Sequence, residues 1–220
     1  MTFLIQPLKG IFKPLNYSYQ LRDAEGFKGY KRYIVVFFFL SIIVFLCGAV
    51  LGIGSSSLSK ELSKVSGAEF ETKKQLFLIG RILLGVTITA IVLFASSLFY
   101  WSIFDISYRK LVIIQMTIFC IYLLEKIVQI PLFVLLDIHT TSNVFSLGII
   151  AQYLTQKEWV IHLLSQITVF QVCMIFLTYY YIAFLTDRKK IVIGISIAFL
   201  YVLYWAISGG LSLLRVSIFL

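Results

Sequence analysis

Charge is what this sequence has least of. Of its 220 residues 13% are Asp, Glu, Lys or Arg, the acidic ones number ten, and 60% are hydrophobic. Such a chain, with a mean hydropathy of +0.96, has too little polar surface to enclose an ordinary soluble domain and reads as an integral membrane protein. Turn formers are scarce too, with 3 prolines and 13 glycines, which leaves little room for a separate globular domain. The three cysteines, Cys47, Cys120 and Cys173, lie inside apolar runs and never as C-x-x-C. They read as small packing residues. His139 and His162 are not spaced with carboxylates as in a zinc site, and no H-E-x-x-H, G-x-S-x-G or phosphate loop is present. The expectation is a protein that is not an enzyme, with no catalytic residue, cofactor or metal site.

What the sequence does have is five long apolar stretches, at residues 33–53, 76–104, 111–136, 159–185 and 191–214. Each is long enough to cross a bilayer as a helix, for which about 17 to 25 residues suffice. Nothing alternates in polarity with the period of a membrane barrel strand. The fold class expected is therefore all-α: a polytopic bundle with five transmembrane helices, residues 1–32 forming a juxtamembrane segment and residues 33–220 the membrane domain. Residues 1–32 do not read as a cleavable signal, because the apolar FLI precedes the basic residues and no A-x-A site follows the first long run.

Basic residues set the orientation. With the N-terminus inside, eleven Lys and Arg outside the spans fall on the cytoplasmic side and six on the other, which follows the positive-inside rule and puts the C-terminus outside. The net charge of +9 is then explained by topology, and because it is split across a bilayer it does not point to nucleic acid. In residues 1–32 apolar anchors (Phe3, Leu4, Leu8, Ile11, Phe12, Leu15) are interleaved with Lys9 and Lys13, which suits a headgroup-level anchor or a docking surface. Pro7 and Pro14 prevent one continuous helix there.

The stretch GIFKPLNYSYQL, followed by FKGYKRYIVVFFFLSIIVFLCGAVLGIG and four further spans, resembles the Yip family of five-span membrane proteins and its bacterial relatives. The acidic-aromatic DLYGP-type motif of eukaryotic members is absent, so the resemblance implies no binding of Rab-type GTPases. It implies a small multi-pass protein of the bacterial cytoplasmic membrane. Such a protein has no catalytic centre and acts as a scaffold or accessory partner, for instance beside an exporter or in envelope-stress resistance. The partners implied are the lipid bilayer and another membrane protein, with a homo-oligomer left open.

Two loops carry structure of their own. Leu58, Leu62 and Val65 fall at i, i+4 and i+7, so a short amphipathic helix is expected before Gly67. Residues 142–154, with FSLGIIAQYL, are too short to span and too apolar for a solvated loop, and read as interfacial or re-entrant. Gly48 and Gly52 form a G-x-x-x-G on the first span, and Gly80 and Gly85 lie on the second. Small residues of this kind let helices approach closely in lipid, and helix packing inside the bundle is expected of them.

The most informative stretch is CIYLLEKIVQIP, residues 120–131, where Glu125 and Lys126 stand in the middle of an apolar run. Gln115, Tyr122 and Gln129 recur every seven residues and Glu125 joins their stripe, so that stripe should face protein. A charge at bilayer depth costs about 2.5–3.5 kcal/mol on insertion scales, so Glu125 needs a partner or a proton. Lys126, one residue on, points about a quarter turn away. Arg81 is the expected partner, across an axial gap of about 9 Å that Gln129 or a water closes. His162, Gln166 and Gln171 extend this intramembrane polar seam to the fourth span. Two readings follow: a buried network that fixes helix register, or the polar pathway of a small transporter or channel.

Overall fold

The computed structural model describes residues 2–54, 67–136 and 143–213. The amphipathic helix expected around Leu58–Val65, His139 and Arg215 lie outside the described residues. Among the described residues the chain is an all-α bundle, with one two-stranded sheet formed by its N-terminal segment.

That segment is more than a surface anchor. Strand β1 (Thr2–Leu4) pairs in parallel with β2 (Gly26–Lys28), and between them run α1 (Pro7–Phe12) and α2 (Pro14–Arg22). Each helix opens on its proline, where the missing N–H has no helical bond to lose. Phe3, Ile5, Tyr17 and Leu21 are buried, while Leu4, Leu8, Phe12 and Leu15 are exposed. The buried face is bound to the bundle: the Tyr181 hydroxyl donates to the Gly10 carbonyl at 2.8 Å, and the Lys110 ammonium to the Arg22 carbonyl at 2.6 Å. A Cβ on Gly10 would come within 2.7 Å of Thr117 Cγ2 and 3.0 Å of the Tyr181 hydroxyl, so the contact needs glycine.

Helix α3 (Tyr30–Val50) packs along α4 (Gly67–Ala90), which continues through one π turn (Ile91–Ala95) into α5 (Ser96–Ile103). The Ser96 hydroxyl donates to Ile91 O, five residues back, inside that π turn, and meets the Tyr204 hydroxyl at 2.6 Å. Helix α6 (Tyr108–Leu136) is the central element; Leu111–Ile114 are fully buried. Then come α7 (Gly148–Leu154), α8 (Glu158–Ser165), α9 (Val169–Leu185) and α10 (Lys190–Leu213). Four helical segments are long and apolar enough to cross a membrane: Tyr30–Val50, Glu69–Ile103, Tyr108–Leu136 and Lys190–Ser208. Their outward residues, such as Phe39, Leu83, Ile195 and Phe199, are large, apolar and exposed, as lipid-facing positions should be.

Three expectations change at this level. The stretch 159–185 is not one helix: it is broken into α8 and α9, and α9 has 17 residues. The helix carrying the second apolar stretch begins before residue 76: α4 extends back to Gly67 through two Glu–Lys pairs, Glu69 with Lys73 at 4.0 Å and Glu71 with Lys74 at 3.9 Å. Gly52 is not a helix-packing residue. Its φ is 82, and it follows α3 as the left-handed residue of a Schellman turn, in which Ile53 N–H bonds Gly48 O at 2.9 Å and Gly52 N–H bonds Ala49 O at 3.1 Å. Gly48 is buried at ordinary contact distance from Ile53 and Ile130. The close approach of α3 to α4 is made instead at Gly85, whose carbonyl accepts from Ser41 at 3.1 Å and from Thr89 at 2.8 Å, whereas a Cβ at Gly80 would meet nothing.

Candidate functional site

The break between α8 and α9 builds the site. A helix interrupted inside an apolar bundle frees backbone groups that have no water to turn to, so other polar groups must reach them. The chain just before α7 supplies these. Leu147 N–H donates to Ile167 O and Val169 N–H to Phe145 O, both at 3.0 Å, and Ser146 bridges Thr168 in antiparallel register. Asn143 holds that segment in shape by accepting from Phe145 N–H on its Oδ1 at 3.2 Å. Thr168 caps α9, its hydroxyl accepting from Gln171 N–H at 3.2 Å. In the segment read as interfacial or re-entrant, Asn143 and Ser146 are buried, while Val144, Leu147, Tyr153 and Leu154 are exposed.

Below the break lies a cavity of about 380 Å³. The end of α3 closes one side with Val44, Gly48, Ile53 and Gly54. Arg81 enters from α4, and Glu125, Lys126 and Gln129 from α6. Asn143, His162, Ser165, Gln166, Thr168 and Gln171 add further polar groups, and Phe45, Ile130 and Phe133 complete the wall with apolar ones. On α6 the polar groups form a relay: Lys126 Nζ donates to Gln129 Oε1 at 3.1 Å, and Gln129 Nε2 donates to Glu125 Oε1 at 2.8 Å. Glu125 is 1% exposed, and its second oxygen, Oε2, accepts no hydrogen bond. Lys126 also lies 5.4 Å from the centre of the Tyr122 ring, a cation–π contact.

The expected Arg81–Glu125 contact is corrected by the geometry. Arg81 Nη2 donates to the Ile53 carbonyl at 2.8 Å, and its guanidinium lies 5.0 Å from the centre of the Phe77 ring. The Schellman turn at the end of α3 aims that carbonyl at α4, a direction that helix periodicity alone does not give. Gly54, with φ 78, follows the same turn, and a Cβ there would collide with the Arg81 guanidinium. Among the described residues no carboxylate lies within ion-pair distance of Arg81 or Lys126.

The remaining seam residues divide between two cavities. Gln115 and Tyr122 line a second space of about 230 Å³ with Tyr201, Tyr204 and Trp205, while Gln166 and Gln171 line both. These two glutamines are tied to α10, Trp205 Nε1–H donating to Gln171 Oε1 and the Ser208 hydroxyl to Gln166 Oε1 at 3.0 Å. Sequence reasoning missed Asn143, Ser165, Thr168, Trp205 and Ser208. The signal for two of them was present: Ser165, Gln166 and Thr168 crowd three polar side chains into four residues in the middle of an apolar run. Among the described residues no three His, Cys, Asp or Glu side chains are grouped to hold a metal ion.

The chain matches no family model, no curated protein and no solved structure. The likeness to Yip proteins therefore rests on the span pattern and the prolyl segment alone.

Proposed function

We propose that this chain is a multi-span membrane protein of the transporter class, and that the cavity beneath the α8–α9 break is where it takes up a small polar solute. In this reading it crosses the cell membrane five times, α8 and α9 together making the fourth crossing, with the N-terminus inside. The observation that carries the reading is the interrupted helix beside buried, unpaired charge. Irregular backbone at membrane depth persists where it lines a polar cavity, and transporter sites are commonly formed at such breaks. A purely structural network would be expected to close on itself, yet among the described residues the buried Glu125 keeps a carboxylate oxygen with no hydrogen-bond partner.

The test is uptake by proteoliposomes incubated with a mixture of small polar metabolites, the retained solutes being identified by mass spectrometry. The expected result is at least one solute retained by the wild type and lost in Glu125→Gln. Retention no greater than in protein-free liposomes would overturn the reading.

A second reading, the scaffold or accessory partner, is favoured by one observation. Leu8, Phe12 and Leu15 are exposed on α1 and α2, with Phe12 80% exposed, a surface suited to anionic lipid or to a membrane-protein partner. Stoichiometric recovery of a second membrane protein by crosslinking in native membranes, together with no solute uptake, would replace the first reading with this one.

A further inference from the structure

The polar groups of the larger cavity are not balanced, and the imbalance specifies a ligand. Two amides there have their orientation fixed by a partner that can only donate. The Trp205 indole can only donate, so Gln171 must present its oxygen to it and keep its NH2 for the cavity. The Phe145 N–H fixes Asn143 in the same way. Gln129 is held between a lysine and a carboxylate, its Oε1 accepting from Lys126 and one N–H of its Nε2 donating to Glu125. Among the described residues Arg81 and Lys126 each donate one N–H to a neutral oxygen, and each also lies against a ring, Phe77 and Tyr122. The wall is therefore rich in donors and carries two cations. The free acceptor of full negative charge is Glu125 Oε2, which is buried and unpartnered.

A simple anion would satisfy the donors and leave Glu125 Oε2 facing nothing. A simple amine would satisfy Glu125 and leave two cations without a counter-charge, in surroundings where an unpaired charge is costly. A molecule carrying both groups sets a carboxylate against the cations and an ammonium against Glu125 Oε2. The volume, about 380 Å³, is at the small end of the roughly 300–1,000 Å³ typical of ligand pockets, which accommodates a solute of single amino-acid size. Resting on the transporter reading above, we infer that the solute is a small amino-carboxylate zwitterion. Its carboxylate is taken by Arg81, Lys126 and the Gln171 and Asn143 amides, and its ammonium by Glu125 Oε2.

The experiment is a thermal-shift and calorimetric titration of the full-length protein in detergent. The probes are L-alanine, L-leucine, propionate, ethylammonium and inorganic phosphate, each titrated separately. The expected result is that at least one amino acid raises the unfolding midpoint and gives saturable binding, while propionate, ethylammonium and phosphate do not. Glu125→Gln and Arg81→Met should each weaken amino-acid binding by roughly 10- to 100-fold, the loss expected for one charged hydrogen bond of about 1.5–3 kcal/mol. Should either variant fail to fold, the discrimination among the five probes by the wild type still decides. Propionate or phosphate binding as tightly as the amino acids overturns the inference and leaves the transporter reading standing. Binding by none of the five also overturns it, and the metabolite-uptake experiment, which presumes no solute class, then decides the transporter reading separately.

Discussion

Replacing Gly54 with alanine should damage this protein in two separable ways. The residue sits at φ 78, where a side chain costs about 1–2 kcal/mol. Its new Cβ also occupies the position of the Arg81 guanidinium, so the bond from Arg81 Nη2 to Ile53 O at 2.8 Å must break. A hydrogen bond from a charged donor is worth about 1.5–3 kcal/mol. Gly54→Ala should therefore cost about 2.5–5 kcal/mol. The assay is unfolding in mixed detergent micelles, comparing Gly54→Ala in the wild type and in an Arg81→Met background. In the second background the guanidinium is gone and only strain should remain, so the two mutations should couple by about 1.5–3 kcal/mol. Equal losses in both backgrounds would refute the placement of Arg81 against the end of α3.

Three further outcomes are expected. Gly10→Val should lift the N-terminal segment off Thr117 and Tyr181, because even a Cβ is within 2.7 Å of Thr117 Cγ2; trypsin cleavage at Lys9 or Lys13 should quicken, with the rest of the chain intact. Burial raises the Tyr17 phenol above its ordinary value. Stability from this group is thus complete below pH about 10 and falls above it, by up to about 1.4 kcal/mol per pH unit, as the unfolded chain ionises first; melting between pH 9 and 11 should show this slope in the wild type and a shallower one in Tyr17→Phe. Trp205→Phe leaves Gln171 Oε1 without its donor and should cost about 1–2 kcal/mol of stability, measurable by the same micelle unfolding; an unchanged midpoint would contradict the tie between α9 and α10.

Much of this was legible in the sequence where one helix sufficed to state it. The seven-residue spacing of Gln115, Tyr122 and Gln129, with Glu125 between, placed a protein-facing stripe on α6, and Gln115, Glu125 and Gln129 are 4%, 1% and 5% exposed. The apolar runs similarly located the long helices, and Pro7 and Pro14 ruled out one continuous N-terminal helix. What was not legible depends on the meeting of segments far apart in the chain. Arg81 was assigned to Glu125 by axial position, but the carbonyl it bonds is presented by a turn whose direction follows from Gly52 at positive φ. Gly52 itself was read as one end of a helical motif because the run of apolar residues does not show that α3 stops at Val50. The break at Gln166–Thr168 was hidden because the flanking segments are apolar enough to average over three polar residues. Its backbone is stabilised by Phe145 and Leu147, some 20 residues earlier, a pairing that no local pattern encodes.

The central claim is that the bundle holds a partly open cavity lined by donor groups that a small solute can reach, and thiol labelling tests it most directly. With Cys47, Cys120 and Cys173 replaced by alanine, Ser165→Cys places a thiol on the cavity wall, and Ile182→Cys, 0% exposed in the packed core, serves as the control. Membranes are treated with methanethiosulfonate reagents carrying either a sulfonate or a trimethylammonium group. The account predicts that position 165 reacts and position 182 does not. It also predicts that the sulfonate reagent reacts faster at 165, and that Arg81→Met narrows the difference. No reaction at 165, or faster reaction with the cationic reagent, would contradict it.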